Sequence, residues 1–239
     1  MDRHESPTVT IDQTLAEVMA ADPSAARVLE AFGLDYCCGG ARTLVAACED
    51  AGVDPDVVLA ALAEHPPEPT PAWAALSPDQ LVDHLEATHH AYLHAEMPRL
   101  HALAEKVADV HGDRHPELLA VLDTYAELRT DLEPHLAKEE QILFPMIREL
   151  VTSPVPPRFH CGSLRNPISV MLAEHDRAGA LLARLRSLTN GFEVPADGCA
   201  SYRALHDGLA QLEADTHLHV HKENNLLFPA VVALEATRC

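Results

Sequence analysis

Residues 217–229 read HLHVHKENNLLFP, and residues 135–145 read HLAKEEQILFP. Superposing His135 on His219, 84 residues apart, aligns Lys138 with Lys222, Glu139 with Glu223, and Leu143-Phe144-Pro145 with Leu227-Phe228-Pro229. Imidazole nitrogens and carboxylate oxygens together are donors for first-row transition metals. Four residues along a helix advance about 400°, so each His-x3-Glu pair projects from one face and can serve one site. Glu140 points about 100° further round, and the second copy has Asn224 there, so the repeat keeps only the first carboxylate. By the same angular test His217 and His221, about 200° from His219, read as solvated or edge-of-bundle histidines.

Two such helices supply half of a site, and the repeat says where the other half lies. EATHH aligns with LAEHD, placing His90 opposite His175 at an offset of 85 residues. His90 precedes His135 by 45 residues and His175 precedes His219 by 44, which selects His90 over His84, His89 and His94. His94, one turn on along the same face, remains its rival. The set His90, His135, Glu139, His175, His219 and Glu223 then offers four neutral nitrogens and two carboxylates with pseudo-two-fold symmetry. That donor set fits a dinuclear iron site, in which carboxylates bridge metals about 3.5 to 4 Å apart and imidazoles terminate each one. Ligand type alone leaves zinc or manganese open, while all-thiolate clusters and oxygen-only calcium or magnesium sites match poorly. Asp131 and Asp215 stand one turn before His135 and His219, and Glu174 directly precedes His175; supporting roles beside the metal and plain surface acids are equal readings for these three.

The elements that must hold these residues are helices. Ser77-Pro78 has the pattern of an N-cap followed by proline at the first helical position, and apolar residues recur at helical spacing to about Val110. Further helices are expected over about 117–150 and 168–188, with a fourth after TNGFEVPADG. No strand-length alternation occurs, so the chain reads as all-α, with an antiparallel four-helix bundle over 77–239. Leu-Phe-Pro after each ligand pair is expected to pack the bundle end, where proline kinks or ends the helix, and Pro134 to bend or widen the second helix. Residues 1–64 read as small helices, opened at Thr14, Pro23-Ser24 and Asp54-Pro55. HPPEPTP, four prolines in seven residues, marks residues 65–76 as a proline-rich, extended linker.

Composition narrows the function. A formal charge of −20 repels phosphate backbones and anionic membranes, and only 4% aromatic residues leaves few base-stacking platforms, so neither nucleic acid nor membrane is an expected partner. No signal-peptide-like start or membrane-length apolar run is present, and a cytoplasmic location is expected. The six cysteines are scattered rather than spaced as a disulfide framework. Vicinal Cys37-Cys38, beside Gly39-Gly40, suits soft-metal capture or thiol exchange, and equally suits two small residues packing a turn. Cys48 is expected to pack the core of its unit. No Ser-His-Asp or nucleophilic-cysteine arrangement points to a hydrolase.

These motifs together resemble the RIC (repair of iron centres) family, the di-iron iron-sulfur cluster repair proteins with a hemerythrin-like domain. FGLDYCCGGARTL resembles the signature of the family's small N-terminal domain; HLAKEEQILFPMI, NPISVMLAEHDRAG and HKENNLLFP resemble its bundle motifs, and the histidine before AYLHAEMP fits the remaining ligand. The resemblance implies the same six ligands, an oxo-bridged di-iron centre with Glu139 and Glu223 bridging, and a functional role for Cys37 and Cys38. It further implies repair of iron-sulfur proteins damaged by nitric oxide or oxidants, through iron supply or nitric oxide handling. Asp131 departs from the pattern, standing where a longer glutamate is expected. A hemerythrin-like oxygen or nitric oxide binding or sensing protein, and a nitric oxide-reducing enzyme, are the rival readings; a dimer is left open.

Overall fold

Local capping chemistry sets most helix starts in the computed structural model, which describes residues 9–65 and 71–238. Thr14 and Glu17 form a reciprocal capping box that opens α1 (Leu15–Ala21), the Glu17 carboxylate accepting the Thr14 N–H at 2.8 Å. Asp22 caps a 3-10 turn, Pro23–Ala25, that runs into α2 (Ala26–Ala31), and Asp54 caps α4 (Pro55–Glu64). Between them lies α3 (Leu44–Ala51), a helix the sequence reading passed over, capped by Thr43 and closed by Gly52 at φ 69°. Cys48 is buried in the core that these helices share, as expected.

Four long helices follow. α5 spans 78–111, α6 spans 117–152, α7 is Arg165–Leu188 and α8 spans 200–238. α5 packs on α6, α6 on α7, α7 on α8 and α8 back on α5, which closes the antiparallel bundle. The extended-linker expectation over 65–76 falls partly on residues 66–70, outside the described residues; beyond them Ala72–Ala75 forms a 3-10 turn rather than extended chain.

Three of the four long helices are interrupted by π turns, Glu86–His90 in α5, Glu139–Leu143 in α6 and Lys222–Leu227 in α8, each holding one of the six candidate ligands. The N–H of Phe144 reaches the Glu139 carbonyl and that of Phe228 reaches the Glu223 carbonyl, five residues back in both cases. Pro145 and Pro229 follow immediately. A proline has no N–H to give and crowds the carbonyl four residues earlier, so the widened turn relieves a conflict that a regular α ladder would keep. The prolines therefore neither end the helices nor mark the bundle end: α-helix continues over Phe144–Thr152 and Phe228–Arg238. Pro134 does not widen α6 where it stands, because Glu117–Lys138 stays α-helical through it.

The bundle core falls into two apolar clusters. One holds Leu93, Met97, Leu132, Leu136, Ala178 and Leu212; the other holds Leu85, Leu143, Phe144, Met171, Leu227 and Phe228. The candidate ligands lie at the junction of these clusters on every helix, as a polar layer in a buried interior. The N-terminal helices dock on α8. Val220 joins their core, and Asn225 donates to the Tyr36 carbonyl at 3.1 Å. Gly40 permits that approach, since a Cβ there would lie 2.5 Å from Asn225 Oδ1.

Candidate metal centre

All six predicted donors converge. His90, His135, Glu139, His175, His219 and Glu223 are each at most 2% exposed, and their ligating atoms form two quartets: His90, Glu139, His219, Glu223 and His135, Glu139, His175, Glu223. Each glutamate belongs to both. Glu139 Oε2 lies 3.5 Å from His90 Nε2 and 3.3 Å from His135 Nε2; Glu223 Oε2 lies 3.1 Å from His175 Nε2, and its Oε1 lies 3.2 Å from His219 Nε2.

The hydrogen bonds behind the imidazoles define what the cluster lacks. His135 Nδ1 is 2.9 Å from Glu174 Oε2, and His175 Nδ1 is 2.8 Å from Asn224 Oδ1. The Asn224 amide orientation follows from its other end, where Nδ2 donates to the Cys37 carbonyl at 3.2 Å. Both histidines thus spend their Nδ1 protons outward, yet their Nε2 atoms face each other at 3.1 Å. Two opposed lone pairs need a proton or a metal cation between them. His90 Nε2, His219 Nε2 and both oxygens of Glu139 and Glu223 are also buried without a hydrogen-bond partner. Orphaned groups of this kind cost about 1 to 3 kcal/mol each, and cations shared between the quartets would satisfy all of them. Burial disfavours charge on His135, but the adjacent Glu139 carboxylate overrides it and pushes the imidazole up to about 9. Glu223 is held well below the usual carboxylate range: burial opposes this, and His219 and His175 outweigh it. The residues fit a pair of divalent metals.

The three acids expected beside the site separate. Glu174 does support His135 and also pairs with Lys138. Asp131 instead meets Arg177 Nε at 2.5 Å, and Asp215 meets His89 Nδ1 at 2.9 Å, so neither holds the histidine one turn further on. Glu140, set aside by the angular test, accepts from His90 Nδ1 at 2.9 Å. The test failed because a bundle helix faces two neighbours: about 100° of rotation carries a side chain from the bundle axis to the adjoining seam, where the back of the imidazole lies. Asn224, aligned with Glu140 by the repeat, does the same for His175. That equivalence was the signal available in the sequence.

The other histidines take separate places. His94 Nε2 sits 2.8 Å from Glu140 Oε1 with its side chain half exposed, and neither quartet includes it. His84 and His89 both turn to Lys222 Nζ, at 3.0 and 2.7 Å. His221 is not solvated: it is fully buried, edge-on to Tyr36 and bonded to Asn225, at the contact with the N-terminal helices. Burial lowers its pKa to about 4. Cys37 and Cys38 lie in that same contact, with Asp35.

Among the described residues no helix is long and apolar enough to cross a membrane. Residues 81–231 match the hemerythrin HHE cation binding domain, and residues 11–65 match a domain of unknown function, DUF542. The chain is 36% identical over 228 residues to proteins named iron-sulfur cluster repair protein YtfE from Escherichia coli O81 (strain ED1a), Escherichia coli O1:K1 / APEC and Escherichia fergusonii, covering 94% of this chain and 98% of each relative. A cation-binding bundle over more than half of the chain, joined to a small helical unit and matched almost end to end by these relatives, places the chain in the RIC family of iron-sulfur cluster repair proteins.

Proposed function

We propose that this chain repairs damaged iron-sulfur proteins in the cytoplasm, holding two iron ions on His90, His135, Glu139, His175, His219 and Glu223 and supplying iron to its clients. The observation that carries this reading is the sharing of Glu139 and Glu223 between two buried quartets, an arrangement suited to a pair of metals. Bound there, iron would supply a redox-active pair whose retention depends on valence. The protein's part is to hold it reversibly. Neutral imidazoles and two carboxylates carry less negative charge than a thiolate cage, and every donor is protonable, so acid or a change in charge loosens the site. Glu174 and Glu140 orient His135 and His90, and the flanking apolar clusters limit water. A cavity of about 170 Å³ reaches the layer from outside, lined by Asp131, Lys138, Glu174, His135 and His175. This is the natural exchange route.

The complete burial of the donors favours a second reading, a site for a diatomic ligand such as nitric oxide or oxygen. One experiment addresses both. The protein is loaded anaerobically with 57Fe(II), exposed to air, and analysed for metal content and Mössbauer spectrum; half is then mixed with a ferredoxin whose cluster has been degraded by nitric oxide. Two coupled irons per chain, followed by label in the restored ferredoxin, is the expected result. Retention of the label with consumption of nitric oxide would favour the second reading. Zinc preference, or full iron loading in a His90→Ala variant, would overturn the ligand set.

A further inference from the structure

Outside the bundle cluster, one other group of metal-capable side chains comes together among the described residues, and the proposal from it does not rest on the bundle's metal content. Asp35, Cys37 and Cys38 place a carboxylate oxygen and two sulfurs within 4.8 Å of one another. The Asp35 Oδ1 atom accepts the backbone N–H groups of Cys37 and Cys38 at 3.0 and 2.9 Å, which curls the loop around it, and it accepts the Cys37 thiol at 3.0 Å. The two sulfurs are 3.9 Å apart and free. Thiolates bound at about 2.3 Å to a tetrahedral ion stand about 3.8 Å apart, so this spacing already suits one cation.

The surroundings favour a cation too. The loop borders a cavity of about 350 Å³ whose lining includes Glu30, Asp35, Asp176 and Glu213 against one guanidinium, Arg186, whose Nε and Nη2 already donate to Glu213. His217 lines the same cavity. Gly179 of α7 lies against the Cys38 sulfur, at a distance where even a Cβ would make only ordinary van der Waals contact, 3.7 Å. Without a cation, the Cys38 contact, burial and Asp35 hold the Cys37 thiol well above its ordinary pKa. A bound metal ion reverses that balance, because it deprotonates the thiols it coordinates.

We propose that Asp35, Cys37 and Cys38 form a second cation site, taking one thiophilic divalent ion of the ferrous or zinc class at the mouth of this cavity. Binding forms two metal–sulfur bonds and one metal–oxygen bond and releases two thiol protons to solvent, with no change in oxidation state. The net charge of the site is conserved, since a divalent ion replaces two protons. The loop is tied to the bundle through Asn224, which bonds the Cys37 carbonyl with one end and His175 with the other, so an ion held here stands next to the polar layer without belonging to it.

The test uses the full chain, iron-loaded as above and kept anaerobic, titrated with Co(II) and followed for sulfur-to-cobalt charge-transfer absorption, with alkylation by iodoacetamide mapped by mass spectrometry. One further equivalent is expected, with the thiolate band and protection of Cys37 and Cys38 from alkylation. Cys37→Ser/Cys38→Ser, near-isosteric and checked for unchanged helical circular dichroism, should lose the band entirely, and Asp35→Asn should weaken binding by about ten-fold or more. A band that survives in the double serine variant, or the absence of any thiolate band in the parent, overturns the site. Failure of the bundle reading would show separately, as fewer than two irons before the titration begins.

Discussion

The two halves of the bundle carry the same donors in different surroundings. On the side of the layer that holds His135 and His175, Lys138 pairs with Glu174, both partly exposed, and Glu174 also takes the Nδ1 proton of His135. The repeat puts Lys222 in the place of Lys138 and His89 in the place of Glu174. There the lysine is only 2% exposed, over the Trp73 ring at 4.7 Å, with its ammonium against His89 Nε2 and His84 Nε2. His89 gives its Nδ1 proton to Asp215 and stacks on His219 at 5.3 Å. A carboxylate behind one ligand has become a neutral ring and a buried cation behind the other. A metal pair would need the coordinating atoms at set distances, so they would tolerate little change; the groups behind them are free to diverge and would make two metal positions unequal.

Removing a shared carboxylate should abolish the comparison altogether. Glu139→Leu or Glu223→Leu is expected to lower iron from two per chain to less than one, by metal analysis, because each glutamate reaches a histidine of both quartets. Two irons in either variant would show that these oxygens do not bridge.

Next in size are the groups behind the ligands. Glu174→Gln is expected to weaken the position held by His135 and His175 by about 10- to 100-fold, and Glu140→Gln to do the same for the position of His90 and His219. Mössbauer spectra of partially loaded protein should lose one component in each case. Equal loss from both components would mean that the halves do not act separately.

The lysines give a smaller and more pointed contrast. Burial lowers the Lys222 pKa from 10.5 to about 8, with Asp215 opposing the shift. Between these values the unfolded chain binds more protons than the folded one, so the Lys222 contribution makes stability rise with pH from about 8 to 10.5. Lys222→Met should flatten that part of the profile of Tm against pH, while Lys138→Met leaves it in place. An unchanged slope in Lys222→Met would place the lysine in water rather than under Trp73. The Lys138–Glu174 pair is partly solvated, and its loss is expected to change stability by less than about 1 kcal/mol.

What could be read without coordinates depended on range. Thr14, Asp54 and Ser77-Pro78 announce helix starts because a cap is a local hydrogen bond, satisfied within a few residues. α3 escaped notice because its eight residues carry no proline at the start and only the Thr43 cap marks it. The π turns were hidden too. Two Leu-Phe-Pro motifs advertise a break in the ladder, but whether the helix stops or widens depends on whether apolar partners lie beyond, as Ile147, Leu150 and Val231 do.

Sequence by itself picked out the candidate donors that the fold brings together: a repeat at 84 to 85 residues chose six of the many histidines and acids, since helical periodicity converts spacing into facing and a metal pair would demand facing groups. Tertiary structure alone decided what stands behind them. Glu140, Asn224 and Glu174 reach imidazoles on other helices, Asp131 and Asp215 turn away to Arg177 and His89, and Lys222 and His221 are buried against Trp73 and Tyr36. The physical reason is that these contacts cross between helices. Their partners lie 39 residues away or further in sequence, and only packing brings the seams together.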